Sequence, residues 1–132
     1  MKYKKRRKYK YTLHSDFQYP TKIKVITPKD LGFLQIDSNG YLLIKSGYSW
    51  DGPSGPAFDT INFMQGSLVH DALYQLIREG VIEQSQRKKA DNILKEICRK
   101  DGMSKMRVWW VYYGVRFGGK KAVKPDMLTA PL

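Results

Sequence analysis

Near the middle of the chain the spacing of apolar residues changes, and that change restricts the fold more than any other feature. In the first half, aromatic and aliphatic residues recur at every second position: Tyr9, Tyr11 and Leu13, then Phe17 and Tyr19 ahead of Pro20. A period of two is the mark of a strand with one face buried. In the second half, Val69, Ala72, Leu73, Leu76 and Ile77 follow the i, i+3, i+4, i+7, i+8 rule of a helix with a buried stripe. The expected class is α+β, with a small antiparallel N-terminal sheet followed by three packed helices.

Further strands are expected at KIKVI (residues 22–26), stopped by Pro28, and at FLQID and YLLIK. The last two are joined through Ser38, Asn39 and Gly40, where Asn-Gly favours a hairpin because both residues tolerate positive φ. His14 falls in a strand and is expected exposed or half-buried. Residues 46–66 lose periodicity, collect glycine and proline, and read as a long loop of the kind that carries function. The first helix should end at Gly80, a left-handed C-cap. The second should start near Ser85 as N-cap and bury Ala90, Ile93, Leu94 and Ile97. Gly102 separates it from a third helix, Ser104 to Phe117, which is apolar nearly all round. That pattern suits the central helix of a small domain, and the alternative is an aromatic side offered to a partner or a lipid interface.

The chain has 132 residues and one cysteine, Cys98. An intramolecular disulfide and a cysteine-based zinc site are therefore excluded, and Cys98 reads as core. No apolar run reaches the length of a membrane span, and the N-terminus lacks a signal-peptide core, so a cytoplasmic protein is expected. Seven of the twelve excess positive charges lie in MKYKKRRKYK, on Lys2, Lys4, Lys5, Arg6, Arg7, Lys8 and Lys10. Such an arm can attract DNA or another polyanion without sequence preference, or serve as a solubilising tail or a strand with basic residues facing water. Residues 1–10 thus read as a basic arm, 11–119 as one domain and 120–132 as a tail, free or docked.

The candidate chemistry lies in GSLVHDALYQLIREG, residues 66–80. On a helix His70 and Tyr74 share a face and Asp71 is turned about 100° away. A catalytic histidine needs a carboxylate on its far nitrogen, to fix the tautomer and stabilise the imidazolium. Asp71 is badly placed for that. Asp91, beside the stripe residue Ala90 on the next, antiparallel helix, can face His70, and Tyr74 can donate to the same carboxylate. Asp71 would then point to the loop GYSWDGPSGP, whose carbonyls at residues such as Gly52, with Asp51, offer oxygen ligands suited to calcium. Ser54 lacks the surroundings of a nucleophile elbow. In the plainer reading His70 and Asp91 only lock two helices together, while Asp71 pairs with Arg87 or Arg116.

The order WDGPSGP, HDALY, Arg87-x-x-Ala90-Asp91 and YYGVRFGG resembles a family common in bacteriophage genomes and without an established activity, over about residues 30–119. A phage or prophage source is what that resemblance implies. HDALY with Asp91 also resembles the calcium-dependent secretory phospholipases and the parvoviral phospholipase domain. That likeness implies His70 as general base, Asp91 as its orienting carboxylate, Tyr74 as support and Asp71 as a calcium ligand. Tyr48 to Gly52 match the calcium loop of those enzymes only loosely, and their disulfides are absent. Three functions follow as expectations: a small metal-assisted phage hydrolase, a virion or assembly protein contacting DNA or neighbouring subunits, and a host-directed binding module. The host cytoplasm or the virion is the expected location.

Overall fold

The computed structural model describes residues 3–5, 11–50 and 61–123. It is an α+β arrangement of two small antiparallel sheets followed by three helices. One sheet joins β1 (Tyr3–Lys5), β2 (Tyr11–Leu13) and β7 (Ser49–Trp50) in the order β1-β2-β7. The other joins β3 (Phe17–Pro20), β4 (Lys29–Asp30), β5 (Leu34–Ile36) and β6 (Tyr41–Ile44) in the order β3-β6-β5-β4. The run is thus divided between two sheets from Tyr11 to Tyr19 rather than forming one strand, and Tyr9 lies outside the described residues. It breaks at exposed His14, and Asp16 accepts a hydrogen bond from the Ser46 amide at 2.8 Å.

The β5–β6 hairpin pairs Leu34 with Ile44 and Ile36 with Leu42, placing all four in the core. Its turn differs from the two-residue Asn-Gly form. The Asp37 carboxylate accepts from the amides of Asn39 and Tyr41, both at 2.9 Å, and only Gly40 is left-handed, at φ +79°. Gly40 is required for a second reason, because a Cβ there would lie 2.7 Å from the Ile23 backbone. The segment at residues 22–26 is not a strand. Lys22 takes φ +58°, which breaks the extended run, and the chain then crosses toward the helices through a single Val25–Ile82 bridge. Its apolar pattern still has a use, since Ile23 is buried.

Helix α1 (Ile61–Arg78) begins inside the segment expected as loop, and β7 lies in the same segment. Phe63 and Met64 are buried, so the first turn of α1 extends the stripe that continues through Leu68, Val69, Ala72, Leu73, Leu76 and Ile77. The Trp50 indole donates to Ser67 Oγ at 3.1 Å and the Tyr48 hydroxyl to Gln75 at 3.1 Å, seating β7 on α1. At the far end, Gly80 N–H bonds Ile77 O and Val81 N–H bonds Leu76 O, closing the helix as expected. Helix α2 is Arg87–Lys100. Ser85 does not cap it: its hydroxyl donates to Glu83, and a turn of 3-10 helix at Gln84–Gln86 leads into the helix instead. Ala90, Ile93, Leu94 and Ile97 are buried as the stripe requires. Cys98 is also sealed in, and burial pushes its thiol up to about 12.

Helix α3 (Lys105–Gly118) starts at Ser104, whose hydroxyl accepts from the Arg107 amide. It is not the central helix. The main core lies between the strands and α1, with one face of α2. A separate, smaller cluster of Phe63, Leu94, Cys98, Met103, Val108 and Val111 holds α3 on the outside of α2. Val108 and Val111 are its only buried residues. Composition gave no means of ranking the two apolar sides of this helix, and packing uses the aliphatic one. Past α3, Val123 is buried and its carbonyl accepts from Gln84 at 2.6 Å, so the start of the tail is docked on the fold.

Candidate active site

Asp91 lies on the stripe of α2 and has no exposed surface. A buried carboxylate is costly unless hydrogen bonds replace the water it loses. Donors arrive from all three helices. From α1, His70 Nε2 lies 2.7 Å and the Tyr74 hydroxyl 2.5 Å from Oδ1. From α3, Arg116 Nη1 donates to Oδ2 at 2.8 Å. Within α2, one turn earlier, Arg87 Nη1 lies 3.5 Å from Oδ2. Burial drives the acidity of Asp91 toward higher pKa, but the hydrogen bonds from His70 and Tyr74, the attraction of His70 and the Arg116 contact outweigh it. Its pKa therefore falls below the ordinary 3.8. The phenol of Tyr74 moves the other way. Burial and its bond to Asp91 raise it far above its usual value, so it stays a donor.

These protonation states fix the histidine. An ionised carboxylate can only accept, so the imidazole proton in this contact sits on Nε2. In the neutral ring Nδ1 then carries the lone pair. That atom faces Asp71, whose Oδ1 is 4.0 Å away, too far for a direct hydrogen bond. The His70 and Tyr74 rings stack at 4.0 Å between centroids and an angle of 42°, which limits rotation of the imidazole. The His70 side chain is nearly buried, while Asp71 is about one-third exposed at the rim.

The sequence expectation of a His70–Asp91–Tyr74 cluster across two antiparallel helices is what the geometry contains. Arg87 and Arg116 are placed differently from the plain reading, which gave them to Asp71. Both guanidinium groups approach Asp91. Arg87 also donates to the carbonyls of Val115 at 3.1 Å and Arg116 at 3.2 Å, so it fastens the end of α3 to the site. Their role was missed although the signal was present: Arg87 and Asp91 are four apart on one helix, and Arg116 sits in the segment YYGVRFGG. Gly119 was also missed. A Cβ there would fall 2.5 Å from the Tyr74 hydroxyl and 2.6 Å from Val115 O, so only glycine lets the chain pass over the tyrosine.

Asp51 and Gly52, expected as metal ligands, lie outside the described residues. Among the described residues no group of three or more His, Cys, Asp or Glu could hold an ion. Among the described residues Asp71 is the carboxylate next to His70 Nδ1, and it is one ligand rather than a metal site. Of the basic arm, Lys4 and Lys5 belong to β1, opposite Thr12 and Tyr11 of β2. Lys2, Arg6, Arg7, Lys8 and Lys10 lie outside the described residues. A groove of about 810 Å³ runs along the other side of α2, past Tyr19, Lys22, Lys89 and Asn92, and does not include His70, Tyr74 or Asp91.

An α+β fold with a three-helix layer, and a histidine–aspartate pair across its first two helices, is thereby defined. The chain belongs to the family described as Protein of unknown function (DUF1353), which it matches over residues 28–115. The match includes His70, Tyr74, Arg87 and Asp91 and stops one residue before Arg116. No curated protein and no solved structure matches the chain.

Proposed function

We propose that the protein is a small hydrolase of ester or related bonds, in which His70 is the general base. The observation that carries the reading is the 2.7 Å contact of His70 Nε2 with buried Asp91, which leaves Nδ1 as the basic atom beside partly exposed Asp71. A water held between Nδ1 and the Asp71 carboxylate would lose its proton to Nδ1 as its oxygen attacks the carbonyl or phosphoryl centre. The proton passes to the leaving group as the intermediate collapses, and the ring returns to its starting state. Asp91 orients the imidazole, and Tyr74 orients Asp91. Because Arg87 and Arg116 share the carboxylate's charge, Asp91 holds geometry more than it supplies a counter-charge. Calcium, if bound by Asp71 with the loop of Asp51 and Gly52, would supply charge for the developing oxyanion.

The test is hydrolysis of a series of chromogenic esters and of mixed phospholipid vesicles by the full chain, with and without calcium. His70→Asn should lower turnover by roughly two to four orders of magnitude while the protein stays folded. Equal turnover in parent and variant, or no turnover by the folded parent, removes the proposal. A second reading rests on a different observation, that Asp91 gathers donors from three helices and so can be pure cement. It makes the chain a non-catalytic phage virion or assembly protein, and stoichiometric recovery with purified particles would support it.

A further inference from the structure

The outer side of α3 is the least ordinary surface among the described residues. Phe117 is 85 % exposed, Met106 79 %, Trp110 66 %, Trp109 63 % and Tyr113 39 %. At 100° per residue all five fall on one side of the helix, opposite Val108 and Val111. They are not scattered singly. Trp109, Tyr113 and Phe117 are spaced four apart and form a ladder, with ring centroids 4.4 Å and then 6.4 Å apart. An exposed apolar ridge of this kind marks a contact surface.

The charges around it select the occupant. From Gly102 to Val123 the sequence has Lys105, Arg107, Arg116, Lys120 and Lys121 and no acidic residue. Lys105 lies along one margin of the ridge, Arg107 along the other, and Lys120 and Lys121 just past its end, while Arg116 is held by Asp91. A second copy of the helix would bring cations against cations with no carboxylate on either α3 to relieve them. An anionic bilayer surface answers both features, since it accepts aromatic rings at headgroup level and attracts the surrounding lysines and arginines. With 14 residues the helix is about 21 Å long, enough to lie in the interface but not to cross it. No helix among the described residues is long and apolar enough to span a membrane.

We infer that the Trp109–Phe117 side of α3 is a monotopic docking surface for anionic lipid bilayers, with its aromatic rings inserted at headgroup level and its flanking cations on lipid phosphates. The surface does not depend on the hydrolase reading, since none of the five ridge residues touches His70 or Asp91.

The test is co-sedimentation and tryptophan fluorescence of the full chain with vesicles of phosphatidylcholine, with and without phosphatidylglycerol. Trp50 is buried and serves as a constant background, so a blue shift reports Trp109 and Trp110. Binding with a blue shift on phosphatidylglycerol vesicles, quenched by lipids brominated near the headgroup, is the expected result. Trp109→Ser with Trp110→Ser should lower partitioning by an order of magnitude or more. Lys120→Gln and Lys121→Gln should each lower it roughly fivefold. His70→Asn should bind like the parent. Undiminished binding by the double tryptophan variant would assign attachment to the basic arm and overturn the inference. So would equal binding to pure phosphatidylcholine, a concentration-dependent dimer that shields the tryptophans, or binding that appears only when residues 124–132 are removed.

Discussion

The Asp91 cluster and the outer side of α3 invert the usual distribution of polarity. In the first, a charge with no exposed surface sits inside the helical layer, answered by a histidine, a tyrosine and two arginines. In the second, two tryptophans and a phenylalanine face outward. The difference lies in satisfaction. The polar interior is satisfied by hydrogen bonds within the chain, whereas the aromatic side of α3 is left exposed. A buried polar group therefore speaks first about stability and then about chemistry, and an exposed apolar group speaks almost entirely about partners.

Substitutions at the two regions should accordingly separate stability from binding. The largest effect is expected at Asp91. Asp91→Ala takes the carboxylate from Arg116, His70 and Tyr74, leaving a part-buried guanidinium uncompensated, and should cost about 3–5 kcal/mol, measured by urea unfolding. A retained midpoint would mean the arginines find other acceptors, and the contrast would collapse. Gly119→Ala comes next, because the added methyl meets the Tyr74 hydroxyl and Val115 carbonyl. About 1–3 kcal/mol is expected, visible as a lower melting temperature. Tyr74→Phe removes one donor to Asp91 and should cost about 1–2 kcal/mol.

Acid sharpens the same comparison. The folded pKa of Asp91 is below that of the unfolded chain, so its contribution is full above the ordinary carboxylate value and is lost as pH falls through the folded one. Melting temperature should fall on acidification below about pH 4, and Asp91→Asn should flatten that part of the profile. The smallest effect on stability belongs to Trp109→Ser, expected within about 0.5 kcal/mol of the parent because the ring is mostly solvent-exposed. A loss several times larger would show that the ridge is part of the fold rather than a surface for something else.

Periodicity made the helices legible. The stripes of α1 and α2 are local patterns, and an antiparallel pair joined by a short connection leaves few ways to set His70 against Asp91. The β5–β6 hairpin was equally readable from two short apolar runs around Asn39 and Gly40. Residues 22–26 were not, because a left-handed lysine has no propensity signature and its conformation is set by contacts distant in sequence. The orientation of α3 was hidden for another reason. When both sides of a helix are apolar, the neighbouring surface decides which is covered, and here Val108 and Val111 pack with Phe63, Leu94, Cys98 and Met103. Arg87 and Arg116 were expected on Asp71, the more exposed carboxylate, because charged residues on helices are ordinarily solvated, and the structure sets both on buried Asp91 instead.

Arg87 grips the last carbonyls of α3, and Arg116, from that same turn, grips Asp91. The terminal turn of the outermost helix is thus mechanically geared to the acid at the centre of the bundle. Any force that lifts or rotates that turn must first strip arginine from an oxygen it holds. The end of α3 and the His70–Asp91 pair therefore belong to one connected set of hydrogen bonds.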